Sequence, residues 1–399
     1  MNRPKRILYV ATQFPVLSES FLQREVRAMK AASVEMQIIS LHGGDDEFDG
    51  IPIRRLLKWE LVAVLYLLPF RLVTRWSNLQ PILKEMFSSW PRYGLNFWEN
   101  LLGFGAALVL EKEVKAYRPD VIHCVWGSSP AAFGWLSKAV TGLPFTMGAH
   151  AYDVFEHGGD WLLDGKTGQA SLIHCSTESA AAVVRKMAED SKIRVIYRGL
   201  NALPRFKALP KDRSQIRIIC IARLVEKKGF PYQLAIYREL AKAGVEFEAS
   251  IVGEGPLKQW IQDEVDKLGL GSQVSLLGRL NHDETLKQLS QSDLLFHTGI
   301  IAKSGDRDGL PNVIPEAMSC GVVVVASPVS GVVEAIEDGV TGCLVDPSLP
   351  AEWVTVVKRL QFEDSFVEEV RTNARLWVER NFIADKNTGK LLQEIGSVT

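Results

Sequence analysis

The sequence predicts an α/β protein of two doubly wound, parallel-sheet domains. Three observations carry this. Short Val- and Ile-rich runs recur along the chain, and each is followed by a Gly, Pro or Ser loop and then a helical period. The runs fall into two sets of six. Between the sets lies NALPRFKALPKDRSQ, which has Pro and basic residues but no periodicity, as a linker has.

In the first set, strands are expected at Ile7–Ala11, Met36–Leu41, Val121–Val125, Phe145–Met147, Leu172–Cys175 and Arg194–Tyr197. In the second they are expected at Ile216–Ala222, Phe247–Val252, Val274–Leu277, Leu294–His297, Val322–Ala326 and Cys343–Val345. The expected domains are residues 1–203 and 204–375, followed by a terminal helix in 376–399. A chain of 399 residues exceeds the size at which one core usually divides. Its 47% hydrophobic and 23% charged content is that of a globular protein, and a net charge of -1 gives no global attraction for nucleic acid.

The five cysteines are far apart and form no C-x-x-C pair, so they read as buried thiols of a reducing compartment. The run after MNRPKR is short, lacks a small-residue cleavage site and reads as a first strand, so a cytoplasmic chain without a secretion signal is expected.

Residues 54–102 break the rhythm with a helical insertion and no clear strand. The uncharged run Leu61–Phe70 is ten residues long, against the ~20 needed to span a bilayer. Arg54, Arg55, Lys58, Arg71 and Arg75 flank it, with Trp59 and Trp76 at the edges. That composition suits a helix lying in a membrane interface, on the cytoplasmic face of the inner membrane, and suits equally a helical insertion packed on the protein itself.

In open α/β sheets ligands bind beyond the carboxyl ends of the strands. The segment Asp308-Gly309-Leu310-Pro311-Asn312-Val-Ile-Pro-Glu316 follows the strand Leu294–His297 and opens a helix. Pro315 is tolerable only in a first turn, so the helix should start at Pro311 or Asn312, with its free amides forming an anion site in the cleft between the domains. Glu316 on that helix can accept two hydroxyls, as from a ribose, and Asp308 can hold a second polyol. Two acids around a phosphate site suit a ligand with sugar, phosphate and sugar in a row, a nucleotide sugar. A capped loop and a surface Glu is the plain structural alternative.

This block resembles the E-x7-E motif of retaining GT-B glycosyltransferases of family 4, with Asp308 in place of the first Glu. Other segments resemble the same family. Arg223-Leu-Val-Glu-Lys-Lys228 is similar to its R-x4-K pair, and a departing diphosphate needs cations and amides where no metal serves. Gly253-Glu-Gly255-Pro256 is similar to its G-[DE]-G-P turn, and Leu276-Leu-Gly-Arg279-Leu280 to the segment bordering the nucleobase. His150-Ala-Tyr-Asp153 is similar to its H-[GA]-x-D. Phe14-Pro-Val-Leu-Ser18-Glu19-Ser20-Phe21 resembles a loop of the exopolysaccharide subset, where Ser18 or Ser20 can also cap the next helix. Ser330-Gly331 stands where the family has two glycines, and the helix Ala374–Ile395 looks like the one that crosses back to the first domain.

The resemblance implies a retaining hexosyltransferase of cell-surface polysaccharide synthesis. Its donor, UDP- or GDP-linked, sits on the second domain, and a glycan or polyprenyl-linked oligosaccharide acceptor sits on the first. Arg223 and Lys228 would stabilise the leaving diphosphate, Asp308 and His150 position the sugar, and Glu316 hold the ribose. Gly253, Gly255, Gly309 to Asn312, Arg279 and Leu280 would border the donor, and Ser18, Glu19, Ser20 and Asp153 the acceptor. No cofactor or metal is implied. Asp306-Arg-Asp308 is a D-x-D, as in metal-dependent transferases, but leads into a loop and helix of another fold. Gly165-Lys-Thr167 is no P-loop, because Asp160 stands where its first Gly is required. The competing reading is a nucleotide-sugar-binding protein with impaired catalysis, consistent with the departures at Asp308 and Ser330.

Overall fold

A computed structural model of the chain describes residues 4–16, 19–91, 93–209 and 212–399. They form two compact units, Met1–Asn201 with Ala384–Thr399, and Ala202–Ile383.

The first unit holds an eight-stranded sheet: β1 (Arg6–Ala11), β2 (Glu35–Ser40), β3 (Glu47–Phe48), β4 (Ile51–Arg55), β5 (Val121–Cys124), β6 (Phe145–Gly148), β7 (Leu172–Cys175) and β8 (Ile193–Val195). Its order is β3-β4-β2-β1-β5-β6-β7-β8, and every pair but β3–β4 is parallel. Because side chains alternate along a strand, β1 feeds two cores. Leu8 and Val10 enter one core, while Ile7, Tyr9 and Ala11 enter the other. Helix α1 (Ser20–Ala31) covers the second face together with the terminal helix Ala384–Gly396, whose Leu391, Leu392 and Ile395 join that core.

The first set therefore has eight strands where six were expected, and β4 takes in the start of the supposed strandless insertion. The insertion continues through a 3-10 turn (Lys58–Ala63) into α2 (Val64–Thr74), α3 (Trp76–Ser88) and α4 (Gly94–Val109). Pro69 lies inside α2 and Pro81 inside α3. Among the described residues no helix is long and apolar enough to cross a membrane.

The second unit holds a six-stranded parallel sheet: β9 (Ile216–Ile221), β10 (Phe247–Val252), β11 (Val274–Gly278), β12 (Leu294–His297), β13 (Val323–Ala326) and β14 (Cys343–Leu344), in the order β11-β10-β9-β12-β13-β14. Strands β12 and β13 are buried throughout, which is why they read as unbroken apolar runs. The final helix of the expected kind is two helices. Asp364–Asn381 stays with the second unit, and after Phe382 and Ile383 the helix Ala384–Gly396 belongs to the first.

Candidate active site

In the second unit the order of strands reverses between β9 and its neighbour β12, the place where open α/β sheets bind ligands. The loop after β9 carries Arg223 and Lys228, and the loop after β12 carries Asp308. Gly229 joins these loops. It has φ +67°, and a Cβ there would stand 1.9 Å from the carbonyl oxygen of Thr298, so only glycine lets the two backbones approach.

Lys228 Nζ donates to Asp308 Oδ2 at 2.6 Å, and His297 Nε2 is 3.3 Å from the same oxygen. Lys227 Nζ donates to Asp306 Oδ1 at 3.0 Å and is 3.6 Å from Asp308 Oδ1. Burial opposes the charge of Asp308, but Lys228, His297 and Lys227 outweigh it and hold the carboxyl far below its ordinary range. Burial, opposed by Asp308, lowers the pKa of His297, which favours the neutral ring, and its Nδ1 is buried without a hydrogen-bond partner among the described residues. Arg223 is exposed, and no ion pair or side-chain hydrogen bond engages it among the described residues.

Gly309 to Asn312 form the approach to the helix Val313–Cys320, which begins one or two residues later than expected. Its N-cap Asn312 makes no side-chain cap bond, Ile314 N donates to Pro311 O at 3.0 Å, and the helix closes on Gly321. Glu316 sits in the first turn, 9% exposed.

The turn at Gly253–Pro256 binds its own neighbour. Leu224 N donates to Glu254 O at 2.9 Å, and Leu257 N to Leu224 O at 3.0 Å. A Cβ on Gly253, at φ +143°, would lie 1.9 Å from Ala222 O. Gly253 therefore lets the Arg223 loop approach, and Gly255 likewise faces Leu224. Gly253 N also donates to Gly278 O at 2.8 Å, which fixes the start of the Arg279–Leu280 segment and leaves Arg279 exposed. Ser330, where the family has glycine, still adopts a left-handed φ of 50°.

In the first unit, His150 follows β6 and is 4% exposed. Its Nδ1 accepts from Ser176 N at 3.1 Å, so the neutral ring carries its proton on Nε2. The ring stands edge-on to Trp126 and His174. Burial, and then Arg198, push its pKa well below the usual histidine range. Asp153 was expected to border an acceptor, yet it is 1% exposed and its oxygens accept the backbone N–H groups of Gly127 (2.9 Å), Ala151 (2.9 Å) and His150 (3.2 Å). It organises the loop from inside.

Glu19 is the N-cap of α1 without a side-chain cap bond, and Ser20 is the first helical residue, so Ser20 is not the cap. Ser18 lies outside the described residues.

Two groups escaped the sequence reading. His297 and Lys227 complete the charge cluster in the second unit; the position of His297 as the last residue of a strand was the available signal. In the first unit, Lys166 from the rejected P-loop is fully buried and donates to Asp160 Oδ1 at 2.5 Å and to the carbonyls of Gly127 (2.8 Å) and Ser128 (3.1 Å). Asn96 and Asn100 of α4 donate to Asp160 Oδ2 at 2.8 and 3.0 Å. Glu99, beside them, has its carboxyl pushed up to about 7 by burial and by Asp160.

Two doubly wound domains, with cations after the first strand of the second sheet and a loop–helix acid pair after its fourth, define the GT-B class of fold. The chain belongs to glycosyltransferase family 4: residues 18–202 match the description Glycosyltransferase Family 4, and residues 204–377 match Glycosyl transferases group 1. Among its relatives is the amylovoran biosynthesis glycosyltransferase AmsK of Erwinia amylovora, 31% identical over 98% of this chain and 100% of that one. Another is the putative colanic acid biosynthesis glycosyltransferase WcaL of Escherichia coli K12, 24% identical over the same shares. Of solved structures, Anabaena HepE in complex with UDP and glucose superposes with a TM-score of 0.72 at 18% identity, covering 98% of this chain and 100% of that one. Sucrose-phosphate synthase of Thermosynechococcus elongatus gives 0.76 at 15% identity, covering 99% and 100%.

Proposed function

We propose that the chain is a retaining, metal-independent hexosyltransferase that moves a sugar from a UDP- or GDP-sugar to a glycan or polyprenyl-linked glycan in the synthesis of a cell-surface polysaccharide. The observation that carries this reading is the meeting, within the second unit, of the Arg223–Lys228 loop with the Asp308–Glu316 segment at the ends of adjacent strands. The polysaccharide part is supported by the names of the amylovoran and colanic acid relatives, and the nucleotide part by the UDP and glucose bound to HepE.

In this reading Arg223 and Lys228 stabilise the diphosphate as the bond from the anomeric carbon to its oxygen breaks. Glu316 accepts the ribose hydroxyls, and Asp308, oriented by His297, faces the sugar. The acceptor hydroxyl bonds to the anomeric carbon on the face the diphosphate leaves, and its proton passes to the departing phosphate oxygen. No protein nucleophile is needed. The D-x-D acids Asp306 and Asp308 are neutralised by Lys227 and Lys228, so the charge of the leaving group falls to the cations and the helix amides.

The test is proton NMR of sugar transfer or slow release from an α-linked nucleotide hexose with EDTA present. The α anomer should appear first. A β product, or activity abolished by EDTA, contradicts the mechanism. Binding without release would favour the impaired binding protein, a reading that draws on the occupied state of Lys228.

A further inference from the structure

Within the first unit, the turn before α2 and helices α2, α3 and α4, together with Leu41, His42, Gly43 and Leu136, border a partly open apolar cavity of about 930 Å³, lined among others by Leu61, Leu68, Leu83, Met86, Trp98 and Leu102. Packed cores hold few voids larger than a water molecule, and an apolar lining offers water no partners. The same segment turns large apolar side chains outward: Trp59, Leu65, Val73 and Trp90 are 71%, 78%, 84% and 91% exposed.

The charges of the segment are sorted. Arg54 is bound by Glu60 and Glu113, Arg55 by Asp46, and Arg71 by Glu111, so three of the five cations expected to meet head groups are already paired. Lys58 lines the cavity and is exposed, and it has no ion pair among the described residues; Arg75, between α2 and α3, is also exposed and unpaired.

We propose that this cap is a hydrocarbon site that takes the chain of an isoprenoid phosphate, with Lys58 at the mouth meeting the phosphate. An apolar space of this size takes one long hydrocarbon chain. The proposal rests on the reading that the acceptor is polyprenyl-linked, and it places the lipid end of that acceptor in the α2–α4 cap.

The test uses the full chain and geranylgeranyl phosphate below its micelle-forming concentration, read by thermal shift and by the fluorescence of Trp98. Wild type should gain at least about 2 °C in Tm with a blue shift, and inorganic phosphate should do neither. Cavity-filling Leu68→Trp and Leu83→Trp should abolish the gain, and Lys58→Glu should weaken binding at least tenfold. All three should keep the stabilisation by UDP- or GDP-sugar, which shows that they fold. No shift in wild type, an equal shift in the filled variants, or an equal response to palmitoyl lysophosphatidate or plain phosphatidylglycerol vesicles overturns the proposal. If the filled variants do not fold, crosslinking of a benzophenone-bearing geranyl phosphate to wild type decides: labelled peptides should come from the lining, in 41–43, 56–108 or at Leu136, and labelling confined to other residues contradicts the site. Lipid binding without nucleotide-sugar release defeats the transferase reading alone, and release without lipid binding defeats this one alone.

Discussion

Lys228 Nζ lies 2.6 Å from Asp308 Oδ2, so the cation expected to meet a diphosphate is held by the acid expected to meet the sugar. A donor would enter between them as a third partner. Lys228→Met should lower kcat/KM for donor hydrolysis by about 10²–10³, the usual effect of removing one group that stabilises developing charge. Lys228→Arg should not restore it, because a planar fork replaces a point charge. Steady-state kinetics checks both.

Asp308 also ties the cluster to pH. A carboxyl whose folded pKa is depressed contributes stability that is present above its unfolded pKa, about 3.9, and is lost as the pH falls below it. Thermal unfolding of wild type should therefore weaken steeply below about pH 4. Asp308→Asn should be less stable than wild type at pH 7, and the difference should narrow at pH 3.

Lys166 and Asp160 form a buried pair that binds α4 to the loop after β5. Removing one partner leaves a buried charge without compensation, so Lys166→Met should destabilise the first unit by about 3–5 kcal/mol. Urea unfolding followed by hydrogen exchange in 121–175 would show it. The double variant Lys166→Met with Asp160→Leu should recover part of the loss.

Glu99 titrates in the opposite sense. Its folded pKa of about 7 lies above the unfolded value, so the folded state holds the proton more tightly. The stability it contributes is full below about pH 4.3 and is lost as the pH rises to 7. Glu99→Gln should flatten that part of the stability profile, measured by urea midpoints at pH 5 and pH 8.

The strands that position the site were legible because they are buried on both faces, as in Val323–Ala326. β4 was not, because Pro52 and two arginines in Ile51–Arg55 hide an outer strand inside what reads as a charged segment. The break at Phe382 carries neither Gly nor Pro, so two helices read as one. At the site, the motifs around Lys228 and Glu316 were legible as residue types at a spacing. Their contacts were not. That Gly253 faces Ala222, that Ser176 occupies His150, and that His297 returns to Asp308 are facts of loop closure, which local periodicity does not record.

The most direct measurement is calorimetric titration of wild type and Glu316→Gln with UDP- and GDP-sugars in the presence of EDTA. Wild type should bind one nucleotide class, and Glu316→Gln should bind it about 10–100-fold more weakly, the loss of charged hydrogen bonds to the ribose. Equal affinity of the two proteins, or no binding of any nucleotide sugar by folded wild type, would contradict a donor site on the second unit.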